Sequence, residues 1–550
     1  MTPHQTEVES IAPDRWVDRE SMTKNPVDYI ETQTTGEPRK TKSGTIKCEK
    51  GIHLKIKRLG INTYKEAVIY LHEDCEICRS EGWAAQARVQ VTKLHQSIIA
   101  TVNTVKSPLL KSDEAGLSEY AFQLLGAEEN EEIQLSHPAP LHSLHTIHDK
   151  IFNRQFTEQG LKEIIQDVVA GRLSDIHIAS FLTACADDRL SSTEIIDLTK
   201  AMVVTGDTLS WPSELVVDKH CIGGVPGNRT TLIVVPIVAA YGLTIPKTSS
   251  RAITSAAGTA DTMEVFAPVE LTVAQMRQVV EKEQGCIVWG GAMNLSPADD
   301  LLIPVEHVLN LDAMGQMIAS ILSKKISAGS KQIVLDVPIG ETAKIRNQAE
   351  LRQLKVLFES VASALNIQIK IVETNGTQPI GRGIGPALEA RDALAILENR
   401  LDVPQDLREN ALLIAGNLLE FSSQVKAGTG KQLAEDILVS GRAWKKFQAI
   451  CDGQGGLRDI PKAPYRAIYE ASMSGRVVMM NNYNLARLAK LAGAPKAKAA
   501  GVDLFVKAGD YVTRGQPLFA IHAQSEGELA YARSSIGNIG TLLKLEKVDR

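Results

Sequence analysis

The chain has 550 residues, enough for roughly three or four domains that each bury a core. Its 44% hydrophobic and 23% charged shares are those of a globular protein, and a net charge of −5 without any Lys/Arg block argues against a nucleic-acid partner. No apolar run reaches the ~20 residues of a membrane helix and the polar start MTPHQTEVES is no secretory signal, so no membrane contact is expected and the cytoplasm is the expected compartment.

Residues 1–45 are polar, carry the turn signals PDR, NPVD and GEPRK, and lack periodicity, which predicts a flexible arm. From Ile46 the runs HLKIKRL, EAVIYL, ARVQVTKL and SIIATVNTV alternate with period two and predict a β-rich domain over 46–135. Seven scattered cysteines make no disulfide framework. Cys75 and Cys78 form a CxxC behind His72, with Cys48 upstream, but no second ligand pair accompanies them, and they read as reduced thiols. In HPAPLHSLHTIH, His137, His142, His145 and His148 offer no i, i+4 pair, and Pro138 and Pro140 make the tract an expected linker. Leu161, Ile164, Ile165, Val168 and Val169 then place one apolar stripe on a helix that Gly171 can end. Ser191 and Glu194 form a capping box ahead of IIDLTKAMVV, closed by Gly206. This all-α unit, 146–210, gives way at Trp211-Pro212.

Between Asp218 and Glu264, two loops of small and hydroxyl residues, Gly223–Thr231 and Ser249–Thr259, bracket the apolar run Leu232–Ala240. The run fits a buried strand or a tightly packed helix. Glycines admit close backbone approach, and free amides, hydroxyls and the nearby Lys219, His220, Arg229 and Arg251 suit a phosphate; two ordinary connections are the alternative. Beyond Glu264, VAQMRQVVEKEQ, CIVWGG, QMIASILSKK and QIVLDV alternate helix and strand, which predicts a mostly parallel sheet covered by helices. Asp312, Gln316, Ser320 and Lys324 share one polar helix stripe, either a site or a solvated face capped by the Asp. At the end, GVDLFVKAGDYVTRGQPLFAIHA has the turn texture of biotinyl and lipoyl carrier barrels without their exposed acceptor lysine, so a structural barrel is expected.

DKHCIGGVPGNRTT followed by SSRAITSAAGTADTMEV resembles the signature of the thymidine phosphorylase and pyrimidine-nucleoside phosphorylase family, and PADDLLIPVEHVLNLDAMGQMIASILSKKISAG resembles its next block. The likeness runs from about residue 146 to 545. It implies an α/β protein: a small all-α domain (146–210 and about 300–328), a larger α/β domain with a mostly parallel sheet (211–299 and about 329–465), the N-terminal β-rich domain (46–135) and a C-terminal barrel-like α+β domain (466–550). It also implies phosphorolysis of an N-glycosidic bond without cofactor or metal, with inorganic phosphate and a nucleoside or nucleoside 5′-monophosphate as partners.

By the resemblance, Lys219, Cys221, Thr230 and Thr259 hold phosphate, and Gly224 with Ser250, Arg251, Ala252, Ile253, Thr254 and Ser255 lines the same site. Cys221 stands where these enzymes usually carry serine, and a thiol is the weaker donor. Ile303 and Glu306 replace the Tyr and Arg that hold the pyrimidine, reversing charge and donor role at one position. The AMP phosphorylase branch is the nearer likeness, with its VPGN loop, PADD motif and N-terminal assembly domain. That branch implies Asp312 as proton donor to the leaving base, Ser320 as a base contact and Lys344 as part of the site, with His220 and Lys324 also on the substrate side. Asp312 must then be protonated near neutral pH. A homodimer through the helical domain is implied, with larger assembly through 46–135. The rival readings are a magnesium-dependent phosphoribosyltransferase of the anthranilate type, for which Asp299-Asp300 is the one acidic pair, and a non-catalytic assembly protein.

Overall fold

Period-two alternation builds the first domain. In the computed structural model, which describes residues 53–252, 255–311 and 313–547 and only the backbone of Ile77 and Cys78, six strands close into a barrel. The arm expected over 1–45, together with Cys48, Ile253, Thr254 and Asp312, lies outside the described residues. Strands β1 (His53–Arg58), β2 (Val68–His72), β3 (Arg88–Lys93), β4 (Gln96–Val105), β5 (Glu114–Leu117) and β6 (Glu132–Ser136) follow the order β1-β5-β2-β4-β3-β6. Alternate residues such as Leu54 and Ile56, or Val89 and Val91, fill the interior, where Cys75 is buried as well. Short helices α1 (Glu76–Glu81) and α2 (Glu119–Leu124) cap the barrel connections. The guanidinium of Arg88 docks the barrel onto the next domain through the carbonyls of Gly171 and Arg172, 3.0 and 3.2 Å away.

The histidine tract is not a linker throughout. Residues 142–151 form helix α3 (His142–Ile151), because Ser143, Ile147 and Lys150 recur on one face and are buried against the bundle. His142, His145 and His148 point outward from it. Helices α4 (Glu158–Val169), α5 (Asp175–Ala184) and α6 (Ser192–Val204) complete this sequence-local bundle. The stripe from Leu161 to Val168 is buried, and Ser191 and Glu194 cap α6 reciprocally. Gly206 keeps a negative φ, and its value is close approach: a Cβ there would lie 2.5 Å from the Leu295 carbonyl oxygen.

The α/β region runs β7 (Val217–Cys221), α7 (Thr231–Tyr241), β8 (Ile245–Ser249), α8 (Thr259–Met263), α9 (Val273–Glu283), β9 (Gly285–Trp289), α10 (Pro297–Leu309), α11 (Met314–Ser327), β10 (Gln332–Ile339), α12 (Gln348–Ala364), β11 (Gln368–Asn375), β12 (Gly383–Ile384), α13 (Pro386–Leu397), α14 (Gln405–Leu419), α15 (Gly430–Val439) and α16 (Arg442–Gly453). Strands β11-β10-β7 pair in parallel, as do β8 and β9, and a parallel bridge at Val216 and Thr244 joins the two sets. The ambiguous run Leu232–Ala240 is helical: α7 is buried on every side, and Gly242, at φ 110°, ends it. Helices α10 and α11 leave this layer and pack into the bundle, with Ala298, Leu302, Ile318 and Leu322 in its core.

The last region carries β13 (Tyr465–Glu470), β14 (Gly475–Met480), α17 (Asn482–Leu491), β15 (Gly501–Leu504), β16 (Tyr511–Val512), β17 (Pro517–Ala523), α18 (Glu526–Ile539) and β18 (Leu543–Glu546). Its sheets, β12-β15-β17-β13 and β16-β14-β18, are antiparallel and share one core with the two helices. Among the described residues no helix is long and apolar enough to cross a membrane.

Candidate functional site

The C-terminal ends of parallel strands are where open α/β sheets take ligands, because loops there are free of helix packing. Strand β7 brings charge to that edge. Asp218 is fully buried, and the ammonium groups of Lys325 and Lys247 lie 2.8 and 3.6 Å from its two carboxylate oxygens. Lys219, also buried, donates from Nζ to Thr230 Oγ1 at 2.6 Å. On the neighbouring strand the buried Asp336 accepts from Thr374 Oγ1 at 2.6 Å and Asn228 Nδ2 at 3.0 Å. Buried charges are tolerated only when paired like this.

The chain leaves β7 through Gly223, Gly224 and Gly227, with φ of 96°, 86° and 75°. Gly224 is needed twice over: its φ is left-handed, and a Cβ would lie 2.5 Å from the Lys344 amide nitrogen. The loop ends at Thr230, the N-cap of α7; the amides of Leu232 and Ile233 already donate to the Arg229 and Thr230 carbonyls, at 3.2 and 3.0 Å, so what the helix start adds is the positive end of its dipole. Cys221 is half-buried and accepts from Asn228 Nδ2 at 3.2 Å. Burial, then Asp336, pushes its thiol far up, so it stays protonated and offers a weak S–H donor.

Arg229 joins this loop to the second one. Its guanidinium donates to the carbonyls of Asn228, at 3.1 Å, and Ala257, reaches Thr262 Oγ1 at 3.3 Å, and pairs with the buried Glu389 of α13. Arg251, expected to line the phosphate site, is instead committed to carboxylates: Asp261 at 3.2 Å, Glu264 at 2.8 Å and Glu270 at 2.7 Å, with its guanidinium over the Trp289 ring. Its role is to brace the loop from outside. The amide of Ala252 is likewise used, donating to Asp261 Oδ2 at 2.7 Å. Ser250 accepts through its carbonyl from the Ala260 amide, Ser255 Oγ donates to the Ala257 carbonyl at 2.8 Å, and Thr259 opens α8 half-buried. Ser249 Oγ, at the end of β8, is buried without a hydrogen-bond partner among the described residues.

Helices α10 and α11 contribute a second polar set, which reaches β7 through the charge of Lys324 on His220. Gln316 is buried and donates to the Leu182 carbonyl, Ser320 is half-buried, and Lys324 Nζ donates to the buried Asp299 Oδ2 at 2.7 Å. The polar stripe is therefore no solvated face. Asp299 and Asp300 occupy the first turn of α10; the first is held by Lys324, and burial pushes the carboxyl of the second up. His220 is half-buried at the end of β7. Burial, then the charges of Lys325, Lys324, Lys247 and Lys219, holds its imidazole well below the usual histidine range, so it is neutral at pH 7. Ile303 and Glu306 are half-buried on α10, and Lys344 is exposed beside Gly224. Asp312, Ile253 and Thr254 lie outside the described residues.

The structure thus brings Lys219, Cys221, Gly224 and Thr230 together and sets His220 within the field of Lys324. Asp218, Lys247, Lys325, Asn228, Asp336 and Glu389 were not expected there. For Asp218, Lys247 and Asp336 the signal was a charge set inside a short strand-like segment, VDKHC, IPKTS or VLDV; Asn228 sits in the glycine loop itself, and Lys325 and Glu389, on helices α11 and α13, had no local signal. Chemically the arrangement gathers buried cations, glycine-loop backbone and a helix N-terminus, groups of the kind an anion needs.

Three regions match known families. Residues 144–206 match the glycosyl transferase family helical bundle domain, 213–444 the glycosyl transferase family a/b domain, and 477–539 the pyrimidine nucleoside phosphorylase C-terminal domain. A protein of Legionella pneumophila (strain Paris) named "Putative thymidine phosphorylase" is 57% identical over 479 residues, 87% of this chain and 93% of that protein. One of the same name from Polaromonas sp. (strain JS666 / ATCC BAA-500) is 54% identical, covering 87% and 94%, and one from Chelativorans sp. (strain BNC1) is 51% identical, covering 90% and 97%. The solved anthranilate phosphoribosyltransferase of Thermus thermophilus is 19% identical and covers 56% of this chain and 99% of its own, at a TM-score of 0.48.

Proposed function

Since the chain belongs to the thymidine and pyrimidine-nucleoside phosphorylase family and is an enzyme of the pentosyltransferase type, we propose that it cleaves the N-glycosidic bond of a nucleoside or nucleoside 5′-monophosphate with inorganic phosphate. The products are the free base and (deoxy)ribose 1-phosphate or, from a monophosphate, ribose 1,5-bisphosphate. One observation carries this reading: the glycine loop after β7 ends at the N-terminus of α7 on Thr230, which accepts from the buried Lys219, and the charge of Lys324 on α11 reaches His220 of the same strand.

Breaking the C1′–N bond builds positive charge on the sugar and negative charge on the base. Phosphate is the nucleophile and offsets the sugar charge. Lys219, Cys221, Gly224, Thr230, Ser250, Ser255 and Thr259 hold it in line by preorganised donors and backbone. Asp312 protonates the leaving base, and Ser320 and Lys324 contact it, with neutral His220 and Lys344 completing the substrate side. Glu306, where a pyrimidine-binding guanidinium stands in thymidine phosphorylases, favours bases that donate hydrogen bonds, and the likeness to the AMP phosphorylase branch favours a 5′-monophosphate substrate. Exposed Ile151, Phe152, Ile176 and Val204 on the bundle support a homodimer there, which light scattering tests by mass. The activity test is phosphate-dependent base release from AMP, CMP, uridine, cytidine and thymidine; no release from any of them refutes the reading.

A further inference from the structure

The turn in GVDLFVKAGDYV reaches from the C-terminal sheets into the α/β region. Between β15 and β16, Gly509 takes a φ of 100° and Asp510 accepts from the Lys507 amide at 2.7 Å, which fixes the backbone around Lys507. The ammonium of Lys507 donates to the carbonyls of Pro379 and Gly381, at 2.7 and 2.6 Å, and to Asp406 Oδ2 at 2.7 Å, so each of its N–H groups has an acceptor. The amide of the next residue, Ala508, donates to Gln378 Oε1 at 2.7 Å. Asp406, on α14, closes the set by accepting from the Gly381 amide at 3.2 Å.

The residues gripped in this way, 378–381, follow β11 and back the glycine loop that leaves β7. The Ile380 amide donates to the Pro226 carbonyl at 3.1 Å. Gly227, at a φ of 75°, lies so close behind them that a Cβ there would collide with the Ile380 carbonyl oxygen. A connection held on one side by Lys507 and pressed on the other against Pro226 and Gly227 passes position from one to the other, because close-packed backbone yields little. Resting on the phosphate reading proposed above, we infer that Lys507 is a positioning residue for phosphate: through residues 378–381 it sets where the glycine loop stands, which gives the C-terminal domain a part in anion binding. This path does not pass through the second loop. Lysine suits the place because its compact ammonium satisfies two carbonyls and a carboxylate at once, and its removal takes a charge-assisted donor from all three.

Inorganic phosphate is titrated into the full-length protein by calorimetry. Lys507→Met is expected to weaken phosphate binding about tenfold. Ser525→Ala, which removes the side-chain cap on the Glu528 amide at the start of α18 in the same domain, is the control for destabilisation: it lowers the thermal midpoint and keeps wild-type phosphate affinity. Unchanged affinity in Lys507→Met, or equal weakening in Ser525→Ala, overturns this inference alone. Coupling is reciprocal, so in the wild type phosphate is expected to slow hydrogen exchange in peptides spanning 376–383 and 505–512, which carry the Ile380, Gly381 and Ala508 amides. Protection that stops at the glycine loop overturns the inference, and this measurement decides the matter even if Lys507→Met does not fold. A wild-type protein that binds no phosphate refutes the phosphate site itself and this inference with it.

Discussion

Replacing Arg229 by Met tests whether one guanidinium holds both anion loops in register. Arg229 is 8% exposed and its partner Glu389 1% exposed, so the variant strands a carboxylate in the protein interior with, among the described residues, the Gly385 amide at 3.1 Å and Thr262 Oγ1 at 3.2 Å. Breaking a buried pair from one side costs about 3–5 kcal/mol, and loss of the hydrogen bond to the Asn228 carbonyl adds about 1 kcal/mol or more. Glu389 recovers part of this by taking a proton, since burial already pushes its carboxyl up and Arg229 is the main opposing influence. A net loss of about 3 kcal/mol remains, worth ~100-fold in phosphate affinity if it falls on the loops. The sign follows from the raised carboxyl. Without Arg229 the penalty is full above the folded-state pKa of Glu389 and is relieved as pH falls through it. Calorimetric phosphate binding and thermal midpoints are measured for Arg229→Met and for the double variant Arg229→Met/Glu389→Gln. The double variant is expected to recover stability relative to the single one, and neither recovers full phosphate affinity. Wild-type binding and midpoint in Arg229→Met, or a double variant no better than the single, refutes the strut.

Gly223→Ala and Gly224→Ala separate strain from contact: both sit at positive φ, but only the second meets the Lys344 amide. Gly223→Ala is expected to weaken phosphate binding by about 1 kcal/mol and Gly224→Ala by about 3 kcal/mol or more, and equal effects contradict the close approach. Cys221 resists iodoacetamide at pH 8 on the timescale that modifies free cysteine, because burial keeps it a thiol; rapid labelling of Cys221, read by peptide mass, contradicts that. Glu264 is held down to about 2 by Arg251 first and also by Lys498. Its folded-state value is depressed, so its stabilisation is complete above the ordinary carboxylate range and is lost as pH falls toward about 2. Glu264→Gln therefore lowers the thermal midpoint at pH 7 and flattens its decline on acidification, and an unchanged acid profile excludes the ion cluster as a contributor.

The glycine loops were legible because φ and close approach leave few substitutes for glycine, and the helix stripe at Gln316, Ser320 and Lys324 was legible by spacing. The strands between them were not. VDKHC and IPKTS carry Asp218, Lys219 and Lys247 into the sheet interior, against the rule that marks a central strand by continuous apolar residues. Only the pairing of those charges across β7, β8 and α11 makes their burial tolerable, and pairing between distant segments has no local signature. Leu232–Ala240 stayed ambiguous because a helix buried on every side has no stripe. In α3 the histidines drew attention to metal spacing while Ser143, Ile147 and Lys150 carried the helical period. Arg251 looked like an anion ligand from its loop, yet its carboxylate partners reach as far as Glu270, beyond the motif. The barrel strand β5, EAGL, is too short and glycine-containing to show alternation.

The phosphorolysis claim is tested most directly by the fate of the phosphate itself. Full-length protein is incubated with inorganic phosphate and AMP, uridine or thymidine in the presence of EDTA, and the products are followed by 31P NMR. A sugar 1-phosphate resonance, or ribose 1,5-bisphosphate from AMP, growing in step with free base and without magnesium is the predicted result. Base release that leaves the inorganic phosphate signal unchanged, or turnover that appears only with magnesium and a pyrophosphate-bearing sugar, contradicts it.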